Sequence, residues 1–156
     1  MSKTVLYLDD LAPGMRFKAG PVVLTKEDII AFAKDYDPQP FHTDPEAAKT
    51  SFFKQLVASG WQTAAVTMRM LVDEAMPFGG GSIGMQVELS WPKPVLPGDA
   101  LSVELEILDI TPSKSKPGRA TATIKTTTTN QNGEIVQVMI SKNILFKRGQ
   151  APGDAV

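Results

Sequence analysis

A carboxylate and the only imidazole of the chain stand five positions apart in Asp37-Pro38-Gln39-Pro40-Phe41-His42. Such a pair sharing one water can take a proton from it and return one to a neighbouring atom, the minimum for general acid/base chemistry such as adding water across a double bond. Two prolines limit how far the two side chains wander. By spacing alone the same residues also fit a helix terminus followed by a turn, and both readings stand. A second candidate is Ala58-Ser59-Gly60-Trp61, which opens an apolar helical stretch. Unpaired N–H groups and the positive end of the helix dipole can face a developing oxyanion there. The plainer alternative makes Ser59 an N-cap and Gly60 a packing residue.

Other chemistries find no residues to carry them. The 156-residue chain has no cysteine and one histidine, which removes disulfides, thiol nucleophiles and the ligand sets of structural zinc; no metal is expected. Sixteen Lys+Arg against 17 Asp+Glu leave a net charge of -1, so no overall positive field gathers a nucleic-acid backbone. The start of the chain lacks a signal-peptide core and no apolar run is long enough to span a bilayer, so the expectations are a cytoplasmic location and no membrane partner. The Gly79-Gly80-Gly81 run lacks phosphate-loop spacing, and no Gly-x-Ser-x-Gly elbow accompanies the histidine.

The elements that must position these residues follow from periodicity. Thr25 before Glu27 and Asp28 predicts a helix start, with Ile29, Ile30, Phe32, Ala33 and Tyr36 on one side and a stop near Tyr36 imposed by Pro38. Asp37 to His42 should then be a stiff, extended loop, followed by a short helix over residues 45–50. Trp61, Ala64, Ala65, Met68, Leu71, Val72 and Ala75 recur at helical spacing and predict a deeply buried helix. Beyond it the period becomes two. Met85, Val87, Leu89 and Trp91, and then Leu101, Val103, Leu105 and Ile107, alternate with polar residues as half-buried strands. Ala120, Ala122 and Ile124 continue the pattern in a strand that reverses at Asn130 to Gly133 into residues 135–146, and Val22 to Leu24 adds an edge. The sum is one α+β domain, a long antiparallel sheet packed on a buried helix, with a frayed tail over 149–156. A single such layer is a thin core, so a second copy is expected to cover it as a homodimer, with higher homo-oligomers open.

At Tyr36-Asp37-Pro-Gln-Pro-Phe-His42-Thr-Asp44 the chain resembles the hydratase motif of the MaoC-like dehydratases, the (R)-specific enoyl-CoA hydratase family, written Gly-Asp-x-Asn-Pro-x-His-x-Asp. The resemblance continues through Ala47-Ala48, Leu56-Val57-Ala58-Ser59-Gly60 and Pro94-Val-Leu-Pro-Gly-Asp99. It implies a single hot-dog domain over 1–148, its long curved sheet wrapped around a central helix. It further implies Asp37 and His42 as the catalytic pair, the Gly60 N–H as oxyanion donor, and reversible hydration of a trans-2-enoyl thioester. No cofactor is then needed, since coenzyme A or an acyl-carrier arm is the handle of the substrate. The sequence departs from the motif at Tyr36, Gln39 and Ser59-Gly60-Trp61, so Gln39, Ser59 and Trp61 are the positions expected to shape substrate binding, with Trp61 narrowing or redirecting the acyl pocket. Two alternatives accompany this reading: a hot-dog thioesterase that directs water at the thioester carbonyl, and a non-catalytic acyl-CoA binding module.

Overall fold

The computed structural model describes residues 4–152. Helix α1 (Lys26–Tyr36) begins at a reciprocal cap: the Thr25 hydroxyl accepts from the Asp28 N–H at 3.1 Å, while the Asp28 carboxylate accepts from the Thr25 N–H at 3.2 Å. It buries Ile29 and Ala33 and ends where Pro38 requires. The segment expected to be extended as far as His42 is extended only to Gln39. Pro40, whose fixed φ suits a first helical position, opens the single turn α2 (Pro40–Thr43) and carries His42 into the interior. Asp44 then caps α3 (Pro45–Ala48), accepting from the Glu46 and Ala47 N–H groups.

Five antiparallel strands form one sheet in the order β1-β3-β4-β5-β2. They are β1 (Arg16–Val23), β2 (Ile83–Ser90), β3 (Ala100–Pro112), β4 (Arg119–Thr129) and β5 (Ile135–Phe146). The expected alternation holds in the three central strands: Leu101, Leu105 and Ile107 of β3 and Ala122 of β4 are fully buried on one face. Edge strand β2 departs from it. Met85 and Val87 are exposed, and nearly every residue of β2 faces solvent in a single copy of the chain.

Helix α4 (Gly60–Met70), prolonged by a wider turn over Leu71–Ala75, lies against the inner face. It is buried differently from the expectation. The predicted apolar stripe is buried at Leu71 and Ala75 but faces outward at Trp61, Met68 and Val72, whereas Gln62, Thr63 and Thr67 point in. Two of those inward residues find partners, although the buried Gln62 Oε1 has none: Gln62 Nε2 donates to the Asp28 carbonyl at 3.0 Å, and the Thr67 and Thr128 hydroxyls meet at 2.7 Å. The tail expected to fray is packed at its start. Arg148 pairs with Asp10 at 2.8 Å and Ala151 is buried, while residues 153–156 lie outside the described part. Among the described residues no helix is long and apolar enough to cross a membrane.

Candidate active site

Asp37 sits on the cap of α1 and His42 on α2, and the one turn between them folds the pair back on itself. Asp37 Oδ2 lies 3.3 Å from His42 Nε2, with the imidazole buried and the carboxyl largely so. The other ring nitrogen fixes the tautomer: Nδ1–H donates to the Val57 carbonyl at 2.6 Å, which leaves the Nε2 lone pair facing the carboxylate in the neutral ring. Two acceptors at that distance cannot bond each other. A water donating one hydrogen to each satisfies both, as does an added proton on the ring.

The carboxylate has two further donors. Ser59 Oγ–H reaches Oδ2 at 2.7 Å and Gln39 Nε2–H reaches Oδ1 at 2.7 Å. Burial pushes the Asp37 carboxyl up, but the bonds from Ser59 and Gln39, joined by the charge of His42 when its ring carries the added proton, outweigh it and hold the group below its ordinary value. Ser59 and Gln39, expected at the substrate, are thus placed on Asp37. Ser59 is fully buried and does a second job, since its Oγ accepts from the Trp61 N–H at 3.3 Å as the N-cap of α4.

One residue further on, the Gly60 N–H has no hydrogen-bond partner among the described residues and lies at the positive end of α4. Its lack of a side chain has a cause that spacing does not disclose. A Cβ at Gly60 would stand 2.7 Å from Cε2 of Trp91, so the indole occupies the space directly over the helix start. Trp91 is held there by its Nε1–H, which donates to Gln137 Oε1 at 2.9 Å, and Gln137 in turn donates to Thr67 at 3.2 Å. Trp61 meets Trp91 edge to face, with ring centroids 5.5 Å apart.

These groups line one cleft of about 390 Å³, with Asp37, His42, Gly60 and Trp61 joined by Phe52, Phe53, Trp91 and the Pro92-Lys93-Pro94-Val95 turn. Asp37, His42, Gly60 and Trp61 therefore share a cavity, while Gln39 and Ser59 stand behind it. Sequence reading misses three contributors. The Val57 carbonyl orients the imidazole through the backbone and leaves no mark in residue type. Phe52, 91% exposed at the cleft, lies outside every periodic element. Strand alternation makes Trp91 one more inward position, although a tryptophan N–H turned toward a core demands an acceptor, and that demand is a signal for Gln137.

A family model described as "MaoC like domain" matches residues 10–130. A solved MaoC-like dehydratase from Rhodospirillum rubrum is similar at 52% identity with a TM-score of 0.90, over 92% of this chain and 98% of that one. An (R)-hydratase from A. caviae involved in PHA biosynthesis is similar at 26% identity and a TM-score of 0.67, over 88% of this chain and 97% of that one. Among curated proteins, the uncharacterized protein YdeM of Bacillus subtilis is 34% identical over 124 residues, 78% of this chain and 86% of that protein.

Proposed function

Since the chain belongs to the MaoC-like domain family and has its hot-dog fold, we propose that it is a hydro-lyase that reversibly adds water to a trans-2-enoyl thioester, the (R)-specific enoyl-CoA hydratase reaction. The observation that carries the reading is the 3.3 Å approach of Asp37 Oδ2 to His42 Nε2 in the same cleft as the unengaged Gly60 N–H. With a water held between the pair, its oxygen bonds to C3 of the enoyl group while a proton passes to the His42 Nε2 lone pair. The C2=C3 electrons shift toward the thioester oxygen, where the Gly60 N–H and the α4 dipole stabilise the charge. A proton returned from the pair to C2 completes the addition and restores both groups. The depressed Asp37 suits a carboxylate that remains ionised to hold the water and support a cationic ring. Water, the thioester and these side chains supply every atom of the step, so it calls for no metal or redox cofactor.

In this reading coenzyme A or an acyl carrier supplies the thioester handle, and a second copy of the chain covers the exposed β2 edge and the outward apolar residues of α4. Reading loss of the conjugated enoyl-thioester absorbance with crotonyl-CoA tests the activity, alongside a thiol-release assay and Asp37→Asn. Absorbance loss without free thiol, absent in the variant, is the expected result. Thiol release in its place would overturn hydration in favour of thioester hydrolysis, and binding without turnover would reduce the protein to an acyl-thioester binding module.

A further inference from the structure

The end of the sheet remote from the catalytic cleft concentrates positive charge. The turn between β3 and β4 carries Lys114, Lys116 and Arg119, and the segment after β5 carries Lys147 and Arg148, so two short stretches without an acid hold five of the chain's 16 Lys+Arg. The fold stitches them together: the Lys147 N–H donates to the Gly118 carbonyl at 2.8 Å, and the Ser113 N–H to that of Arg119 at 3.1 Å. Arg148 is neutralised by Asp10 at 2.8 Å. The other four cations make no ion pair among the described residues. Like charges gathered in this way repel, and a bound anion relieves the repulsion. Beside them lies a hollow of about 340 Å³, whose lining combines Arg119, Lys147 and Ser113 with the apolar Leu8, Ile110 and Ala120. Arg119 is half-buried, yet its guanidinium has no acceptor among the described residues. Ser113 Oγ accepts from the Lys116 N–H at 3.1 Å, which leaves its own proton free to donate.

We propose that this hollow binds a small organophosphate, its phosphate monoester held by the Arg119 fork, Lys147 Nζ and the Ser113 hydroxyl, and its organic body laid against Leu8, Ile110 and Ala120. A monoester near neutral pH carries close to two negative charges and three acceptor oxygens, a better match to two cations and a hydroxyl than a single carboxylate. The volume is at the small end of ligand pockets, which suits a sugar phosphate or mononucleotide and not a polymer. The inference does not rest on the hydratase reading. Strand β5 runs from Gln137, which holds the Trp91 indole at the cleft, to Phe146 beside the hollow, roughly 30 Å of extended chain, so the two sites are separate.

Calorimetric titration of the full chain with AMP tests the proposal. AMP should bind once per chain, and adenosine should not. Affinity should fall about tenfold or more in Arg119→Gln and by a smaller factor in Lys147→Gln, while Arg119→Lys restores only part of it because an ammonium lacks the planar fork. Glycerol 3-phosphate should compete with AMP. Absence of AMP binding at millimolar concentration overturns the proposal, as does binding that survives both glutamine variants in folded protein. Inorganic phosphate bound as tightly as AMP also overturns it, since the charge patch then traps ions without an organic site. The same variants assayed on crotonyl-CoA and crotonyl-N-acetylcysteamine identify the source of the phosphate. A KM raised for the CoA ester alone makes the occupant the phosphorylated end of a larger thioester, and a KM unchanged for both makes it a free organophosphate. Should neither thioester be hydrated, the hydratase reading fails while AMP binding still decides this one, with coenzyme A against AMP in the calorimeter separating the sources.

Discussion

Gly60→Ala is the perturbation that most sharply examines the start of α4. The new Cβ would stand 2.7 Å from Cε2 and 2.9 Å from Cδ2 of Trp91. Comfortable carbon contacts need about 3.5–4.0 Å, so the indole must retreat by roughly 1 Å. It is poorly placed to do so. Its Nε1–H is anchored at 2.9 Å to Gln137, which is fully buried and bonded to Thr67. Overpacking of this kind costs about 1–3 kcal/mol, and a strained or lost indole hydrogen bond adds about 1 kcal/mol. Against this, alanine improves on glycine in a helix by at most about 1 kcal/mol. Overpacking wins, for a net loss of about 1–3 kcal/mol, or roughly 3–10 °C in Tm for a domain of this size. Catalysis should fall further than stability, because displacing an oxyanion donor costs about a hundredfold or more in kcat. Thermal and urea unfolding give the first quantity and crotonyl-CoA hydration the second. The double variant Gly60→Ala/Trp91→Leu should recover most of the stability, with a coupling of about 1 kcal/mol or more. A Gly60→Ala protein as stable as the native one, or a double variant whose losses simply add, would refute the claim that the indole is clamped on the helix start.

Three further outcomes are expected. Ser59→Ala removes both the N-cap of α4, costing about 1 kcal/mol, and a donor that lowers the Asp37 pKa. The pKa of Asp37 then rises, so the acid limb of the kcat/KM profile moves to higher pH. The depressed native carboxyl contributes stability that is present above its unfolded pKa and lost as pH falls through the folded value, so urea titrations should show the variant losing part of that increment. Thr67→Val leaves Gln137 and Thr128 without the hydroxyl they share and should cost about 1–3 kcal/mol in urea unfolding. Light scattering should return twice the 16.8 kDa chain mass, and Val87→Lys on the exposed edge strand should shift it toward one chain; an unchanged mass would place the interface elsewhere.

Periodicity discloses the strands because β3 and β4 are covered on one face only, which makes burial and residue type coincide at alternate positions. For α4 the same logic misleads. Its first turns point Trp61 and Met68 outward and carry Gln62, Thr63 and Thr67 inward, and only from Met70 through Leu71 and Ala75 do apolar type and burial coincide, so a hydrophobic pattern misreads the first part unless a second surface is allowed for. Edge strand β2 gives the same false reading for the same reason. At the candidate site, the meeting of Asp37, His42 and Gly60 in one cleft is what the motif spacing leads one to expect. Their supports leave no such mark. The 3.3 Å approach of Asp37 to His42 depends on one helical turn begun by Pro40, and the ring orientation on a backbone carbonyl supplied from fifteen residues away. Neither the Trp91 clamp nor the double duty of Ser59 can be written as a short motif, since both join segments that meet only in the folded chain.

Ser59 also ties the two halves of the proposed chemistry together. Its hydroxyl hydrogen goes to the Asp37 carboxylate while its oxygen accepts the Trp61 N–H, so a single buried side chain joins the end of α1 to the start of α4. The neighbouring residue carries the Gly60 N–H. The carboxylate that would hold the water and the N–H that would receive the oxyanion are therefore separated by one hydroxyl and one peptide. A hinge between α1 and α4 would have to break a bond to a charged group, worth about 1.5–3 kcal/mol, before it could change their spacing. In the proposed chemistry substrate fit would then be adjusted elsewhere, at Trp61, Trp91 and Phe52, whose side chains line the cleft without holding Asp37 or His42 in place.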